Sequence, residues 1–258
     1  MLKWLIIGLS LIAISCIATG VYFILSPNDD SDGRMLLRQL RPDLLNEQQL
    51  KDKLQVIHPT LDPGKQSRYQ LYVTPSDDEV VSLAGELNGA TECYQSAVQW
   101  TWVSDPTLHG TDEKWLTPHE FLSDTPAYDT NPVKPAVASD CEEQANTLVS
   151  LLRADGIPAT DVRVVLGMVD FGGEVGGHAW VEIKQNLNWM PLEATSGPYW
   201  DDDANRLVSR SGHPFNYYSR HNYPEIEVWA YYNDVYYLDP RDNSGNAPLS
   251  WRKLQFQQ

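Results

Sequence analysis

Cysteine is scarce in this sequence: the 258 residues include three, Cys16, Cys93 and Cys141, and no C-x-x-C spacing occurs. Such a small, odd number of widely separated cysteines disfavours both a disulfide framework and a zinc knuckle. Positive charge is scarce too, because 19 lysine and arginine residues are set against 35 acidic residues, which leaves a formal net charge of -16. Nucleic acid is not an expected partner, since so acidic a surface would repel its phosphates.

Charge is absent altogether from Trp4 to Leu25, a run of 22 residues rich in isoleucine and leucine. As a helix this run would span about 33 Å, which is enough to cross the hydrocarbon core of a bilayer. We therefore predict a transmembrane anchor over residues 1–25 and a single-pass membrane protein whose soluble domain lies on the extracytoplasmic side. A cleaved signal or lipoprotein peptide, with Cys16 in a weak lipobox, is the alternative.

The chain after the anchor is predicted to contain four segments. A polar linker over residues 26–33 precedes a helical extension over 34–92, a core over 93–200 and a C-terminal extension over 201–258 that contains an aromatic hairpin. Hydrophobic periodicity predicts helices over Asp77–Leu87, Cys93–Val103 and Cys141–Asp155, and strands over Tyr69–Thr74, Val162–Val169, His178–Ile183, Trp189–Thr195, Ile226–Tyr232 and Val235–Leu238.

Cys141 lies where one of these helices is predicted to begin. Ser139 and Glu142 have the capping-box spacing of a helix start, and Asp140 with Glu143 offers the same spacing. The unpaired N–H groups of a first helical turn favour a thiolate, so we expect a lowered pKa for Cys141. Apolar residues at i+4, i+7, i+8 and i+11 place the thiol toward the core, where a buried structural cysteine would also lie.

His178 and Glu193 are predicted to lie directly opposite each other on a hairpin. If Ile183 pairs with Asn188, one face of the hairpin is continuously apolar and the other brings the imidazole against the carboxylate. A thiol, an imidazole and an acid that orients it are the parts of a thiol acyl-transfer site. A surface ion pair unrelated to Cys141 is one alternative, and a zinc site formed by the three side chains is another.

Four motifs follow one another in this part of the chain. They read DCEEQA from residue 140, LLRADGIPA from residue 151, GHAWVE from residue 177 and WMPLEAT from residue 189. In this order and spacing they resemble the transglutaminase-like superfamily over about residues 93–197. The resemblance implies an α+β fold of papain-like type, in which the helix that bears the cysteine packs on an antiparallel sheet.

The resemblance also implies that Cys141, His178 and Glu193 are catalytic, in a core over residues 93–200 that needs no cofactor and no metal. Glu193 departs from the family pattern, in which this position is commonly aspartate. The substrate would be a protein or peptide, whose acyl group is cleaved or transferred through a Cys141 thioester. Hydrolysis is favoured over crosslinking, because nothing in the chain marks a site for a second substrate. A catalytically silent binding or scaffold module is the alternative.

The oxyanion donors are the least determined part of this prediction. The backbone N–H of Cys141, at the start of the helix, is expected to contribute one hydrogen bond. The resemblance leaves Gln99 and Trp100 as alternative side-chain donors upstream.

Overall fold

The computed structural model describes residues 68–172 and 175–252. The predicted membrane anchor, the linker and the part of the helical extension before residue 68 lie outside the described residues. Within the ranges that are described, no helix is long and apolar enough to cross a membrane.

Four α-helices and two short strands form the first half of the domain. In chain order they are α1 (Asp78–Glu86), α2 (Ala90–Ala97), β1 (Thr101–Trp102), α3 (Asp105–His109), β2 (Ala138–Ser139) and α4 (Cys141–Ala154). The start of α1 follows from its cap, since the Asp77 side chain accepts from the N–H of Glu79 at 3.0 Å. Short helical turns at Arg68–Tyr72, Glu120–Asp124 and Thr125–Ala127 complete this half.

Strands dominate the second half of the domain. They are β3 (Val162–Asp170), β4 (Val175–Gln185), β5 (Asn188–Leu192), β6 (Tyr199–Asp201), β7 (Arg206–Val208), β8 (Glu225–Tyr232), β9 (Tyr237–Asp239) and β10 (Ser244–Gly245). Six of them form an antiparallel sheet in the order β10-β9-β8-β3-β4-β5. A smaller sheet has the order β2-β1-β6-β7.

Helix α4 packs its apolar face on the six-stranded sheet, as the sequence predicts. Leu148, Val149 and Leu152 from the helix share one buried cluster with Val164 from β3 and Val181 from β4. Burial of such side chains supplies about 1.5–3 kcal/mol each. The mixed helix and sheet architecture confirms the predicted α+β class and its helix-on-sheet core.

Several elements differ from the sequence prediction. Residues 69–72 form a short 3-10 helix rather than a strand, because a short apolar run carries too little periodicity to distinguish the two. The helix predicted over Cys93–Val103 ends at Ala97, since Thr101 and Trp102 pair with β2 and β6, which are distant in sequence. Between Asp105 and Val137, where the sequence predicts neither a helix nor a strand, the structure has α3 and two short helical turns.

The β4–β5 hairpin keeps the predicted faces in a different register. Gln185 pairs with Asn188, and Val181 pairs with Leu192 rather than with Met190. The turn therefore has two residues, Asn186 and Leu187, both in the left-handed region with φ of 48° and 72°. A shift of two residues preserves which side chains face the core, so hydrophobic alternation alone cannot detect it.

Candidate active site

Cys141 is the first residue of α4, and its side chain is buried with 9% exposure. Its thiol donates to the Oε2 atom of Glu142 at 3.0 Å, while the backbone N–H of Ala179 on β4 also bonds the sulfur. The predicted position at the start of a core-facing helix is confirmed. The predicted capping bond is not found, since the Asp140 side chain makes no cap hydrogen bond in α4.

The expected lowering of the Cys141 pKa is contradicted. Burial raises the pKa of the thiol well above its ordinary value, and the carboxylates of Glu142 and Asp140 raise it further. The Ala179 N–H acts in the opposite direction but does not outweigh them. The helix start does favour an anion, but the prediction took no account of two acidic neighbours and of desolvation.

His178 and Glu193 make the predicted contact by a different route. The imidazole Nε2 lies 2.9 Å from Glu193 Oε2, and both side chains are buried. Continuing the observed register by one residue puts Glu193 opposite Trp180, so the pair is diagonal rather than directly opposed. Diagonal neighbours are farther apart than opposed ones, and the extra methylene of glutamate suits this longer reach.

Glu193 accepts hydrogen bonds on both carboxylate oxygens. Its Oε2 accepts from the Tyr223 hydroxyl at 2.6 Å as well as from His178. Its Oε1 accepts from the Thr195 hydroxyl at 2.7 Å and from the Thr195 N–H at 3.1 Å. Burial alone would raise the pKa of the Glu193 carboxyl, but His178, Tyr223 and Thr195 together lower it to about 2. The carboxylate is therefore ionised at neutral pH.

The same ion pair controls the protonation of His178. Burial lowers the pKa of the imidazole. The negative charge of Glu193 raises it, Glu142 contributes a smaller increase, and the pKa of His178 is raised as a result. The Phe171 ring packs edge-on against the imidazole with centroids 5.2 Å apart. Glu193 therefore stabilises the imidazolium that forms when His178 accepts a proton.

The Cys141 thiol lies against the strand that bears His178, but among the described residues it makes no hydrogen bond to the imidazole. The sulfur accepts a hydrogen bond from the backbone N–H of Ala179, the residue that follows His178. Since Nε2 is engaged by Glu193, the ring atom left for the sulfur is Nδ1. Because the thiol proton is donated to Glu142, a hydrogen bond from the thiol to the imidazole would require that contact to break.

Two tyrosines in this site have no counterpart in the sequence motifs. Tyr223 belongs to the segment before β8, and Tyr94 on α2 donates its hydroxyl to the Glu193 carbonyl at 3.2 Å. No periodicity or spacing relates either residue to position 193, so only the folded chain brings them there. Thr195 could have been found, because it closes the WMPLEAT motif. Of the proposed oxyanion side chains, Gln99 is exposed and Trp100 is buried edge-on against Phe121.

A cluster of buried or half-buried carboxylates lies beside the cysteine. Its members are Asp105, Glu113, Asp140, Glu142 and Glu143. Burial is the largest cause that raises the pKa of Asp105 to about 9, of Glu113 to about 10 and of Glu143 to about 7, and mutual repulsion adds to it. Glu143 also accepts from the N–H of Leu116 and from the Ser139 hydroxyl, both at 2.8 Å.

This cluster contains the residues best suited to a metal ion. Asp105, Asp140 and Glu143 each offer a carboxylate oxygen, and these oxygens lie within 4.8 Å of one another. The Asp105 Oδ1 atom is buried and has no hydrogen-bond partner among the described residues. An all-oxygen set of this kind fits a hard cation such as Ca²⁺ or Mg²⁺ rather than zinc. The zinc alternative formed from Cys141, His178 and Glu193 is not among the candidate ligand groups of the described residues.

Residues 112–194 match the model of the transglutaminase-like superfamily. The predicted resemblance is confirmed. The matched range contains Cys141, His178 and Glu193, and it accounts for about a third of the chain. Among curated proteins, no sequence matches the chain significantly.

Solved structures to which the chain is similar include LapG of Legionella pneumophila. Its calcium-bound and EGTA-treated structures each share 14% sequence identity with this chain and give a TM-score of 0.42. The alignments cover 80% of this chain, and 93% and 92% of the two LapG chains. A third LapG structure gives a TM-score of 0.40 at the same identity, covering 77% of this chain and 90% of that chain.

Proposed function

We propose that the protein is a thiol hydrolase of transglutaminase-like type, which cleaves an amide or peptide bond through a Cys141 thioester. The observation that carries this proposal is the buried His178–Glu193 contact of 2.9 Å on the strand whose backbone N–H bonds the Cys141 sulfur. Cys141, His178 and Glu193 supply the three kinds of group that thiol acyl transfer requires, a thiol, an imidazole and a carboxylate.

The reaction would proceed in two steps. His178 takes the thiol proton at Nδ1, the sulfur attacks the substrate carbonyl, and the amine leaves with the proton that the imidazole returns. Water, deprotonated by His178, then attacks the thioester carbonyl, and the thiol leaves with the proton to regenerate Cys141. Glu193 keeps the ring in one tautomer and stabilises the imidazolium in both steps. An amine in place of this water would give transfer rather than hydrolysis.

The raised pKa of the Cys141 thiol determines the state of the site before substrate binds. As it stands, the thiol is protonated and donates to Glu142, so the resting site holds a thiol rather than a preformed ion pair. Substrate binding that separates Glu142 from the sulfur would free the thiol for His178. A catalytically silent scaffold remains the second candidate, but four donors fixed on the Glu193 carboxylate favour a group that must stay charged and oriented.

We also propose that the N-terminal apolar run anchors the protein in a membrane, with the domain on the extracytoplasmic side. The support for this is the 22-residue uncharged run from Trp4 to Leu25. The expected substrate is a protein or peptide, since the reaction acts on an amide bond.

Activity-based profiling with a thiol-reactive peptide probe tests both proposals together. Wild type should be labelled at Cys141, and Cys141→Ala and His178→Ala should each lose most of the labelling. Cys93→Ala is the matched control, because this buried thiol has its pKa raised to about 11, chiefly by burial, and should not contribute. Labelling of intact cells by an impermeant probe would place the domain outside, and equal labelling of wild type and His178→Ala would favour the scaffold.

A further inference from the structure

Tyr223 occupies an unusual position in the candidate site. Its hydroxyl donates to the same carboxylate oxygen of Glu193, Oε2, that His178 Nε2 contacts, and its bond of 2.6 Å is the shorter of the two. Burial, together with Glu193, raises the pKa of the Tyr223 phenol well above its ordinary value. The phenol therefore stays protonated, and it acts as a permanent donor that competes with the imidazole for one oxygen.

The ring of Tyr223 is held from two sides. Its centroid lies 4.9 Å from the Trp180 ring and 5.0 Å from the Tyr218 ring. Trp180 is 1% exposed and follows His178 by two residues on β4, so the phenol is fixed relative to the strand that bears the imidazole. Packing of this kind sets the direction of the hydroxyl group, which a freely rotating surface tyrosine could not maintain.

We propose that Tyr223 is a positioning residue, whose phenol fixes the Glu193 carboxylate and moderates its pull on the His178 proton. This inference rests on the proposed thiol chemistry, in which Glu193 orients the imidazole. Two donors that bond the same oxygen, Glu193 Oε2, share its negative charge. When the phenol is removed, His178 is the remaining described donor to this oxygen. The imidazolium should then be held more tightly, and the carboxylate should be free to rotate about its remaining Thr195 bonds.

Other ionisable groups also face this pair. Cys141 and Glu142 approach from α4, Tyr94 from α2, and His213 and Tyr218 from the segment between β7 and β8. None of the hydrogen bonds described from these five reaches the Glu193 carboxylate, because the Tyr94 hydroxyl bonds the Glu193 backbone carbonyl instead. Removal of the Tyr223 hydroxyl alone should therefore change the pKa of His178 directly.

The test compares Tyr223→Phe with Tyr218→Phe, a control that removes a neighbouring hydroxyl and keeps the ring packing. In a Cys141→Ala background, NMR titration of the His178 ring should show the pKa higher by roughly half a unit in Tyr223→Phe and unchanged in Tyr218→Phe. In the Cys141-containing protein, Tyr223→Phe should lower kcat roughly tenfold with little change in KM, and should move the acidic limb of the pH profile upward, because His178 must be unprotonated to accept the thiol proton.

The titration needs no turnover, so it separates this inference from the proposed function. An unchanged or lowered His178 pKa in Tyr223→Phe would overturn the role of Tyr223, whatever the activity. Absence of Cys141-dependent turnover in wild type would overturn the proposed function and leave the titration interpretable. If Tyr223→Phe fails to fold, 3,5-difluorotyrosine at position 223 replaces it. That residue is a stronger donor of the same shape, so it should lower the His178 pKa, and no change would count against the proposal.

Discussion

Cys141 and Glu142 are consecutive residues whose side chains are hydrogen-bonded, with the thiol donating to the carboxylate Oε2 atom over 3.0 Å. This contact places a negative charge against the group that must become a thiolate. Together with burial, the effect is to raise the pKa of the Cys141 thiol. Glu142 thus holds the nucleophile in its protonated form until something moves or neutralises the carboxylate.

Replacing Glu142 by glutamine should make the thiol more acidic, because the amide removes the charge and can donate to the thiolate. We expect alkylation of Cys141 by iodoacetamide at pH 7 to be roughly tenfold faster in Glu142→Gln. Glu113→Gln is the matched control: burial raises the pKa of Glu113 to about 10, so this substitution changes no charge at that pH. Equal rates in all three proteins would show that Glu142 does not control the thiol.

Replacing Glu193 should reduce activity without abolishing it. The amide of Glu193→Gln carries no charge that could stabilise the imidazolium, and its N–H group would face the Thr195 and Tyr223 donors. We therefore expect kcat/KM to fall roughly a hundredfold. Cys141→Ala should be inactive by comparison. Steady-state kinetics on a peptide amide would measure both, and full activity in Cys141→Ala would exclude a Cys141 thioester as the intermediate.

The register of the hairpin gives a sharper version of this test. Because His178 and Glu193 are diagonal on the sheet, the shorter side chain of Glu193→Asp should not reach the imidazole. We expect kcat/KM of this variant to fall roughly tenfold or more, although it keeps the charge and is the common residue of the family. Activity equal to wild type would mean that the strands adjust to the shorter acid.

The carboxylate cluster predicts how stability depends on pH. Since burial raises the folded-state pKa of Glu143 to about 7, of Asp105 to about 9 and of Glu113 to about 10, the native state holds protons that the unfolded chain releases. Stability from these groups is complete below their unfolded pKa near 4 and is lost as the pH rises through the folded values. The melting temperature measured in EDTA should therefore fall between about pH 6 and pH 10.

Asp105→Asn tests the origin of that slope. The amide needs no proton to be neutral, so the variant should lose less of its melting temperature between pH 7 and pH 10 than wild type does. Asp129→Asn, at an exposed position, is the control and should follow wild type. A melting temperature that rises over this range in wild type would contradict the assignment, and chelation with EDTA ensures that no divalent cation replaces the protons.

Gly167 faces His178 across the β3–β4 pair, where the backbone of β8 comes close. A Cβ atom here would lie 2.9 Å from the Trp180 ring and would overlap the carbonyl of Glu227. We expect Gly167→Ala to destabilise the protein by about 1–3 kcal/mol in chemical denaturation. Gly176→Ala on β4 meets no atom within 4 Å and should change stability much less; similar losses in both would point to a backbone effect.

The sequence predicts this site better than it predicts the geometry around it. The positions of Cys141 at a helix start and of His178 beside Glu193 are predicted correctly from local patterns of spacing and alternation, although the capping bond itself is not found. The hairpin register is wrong by two residues because alternation is blind to even shifts. The thiol pKa is wrong in direction because it depends on desolvation and on the Glu142 side-chain rotamer, neither of which has a signature in the sequence.

The position of β8 in the six-stranded sheet is also not predictable from local sequence patterns. The aromatic segment after residue 225 is predicted as a hairpin, and β8 and β9 confirm it. Its place in the sheet is not predicted, since pairing of β8 with β3 joins residues about sixty positions apart. Tyr223 comes immediately before that strand, which is why its contact with Glu193 could not be anticipated.

The position of β8 has a consequence for what constitutes a folding unit. The family match ends at residue 194, yet β8 lies inside the sheet between β3 and β9. A fragment that ends after the last motif would leave β3 as an exposed edge strand with unpaired N–H and C=O groups. Exposed edge strands tend to pair with strands of other molecules. The stretch that matches the family model is therefore shorter than the stretch that completes the sheet.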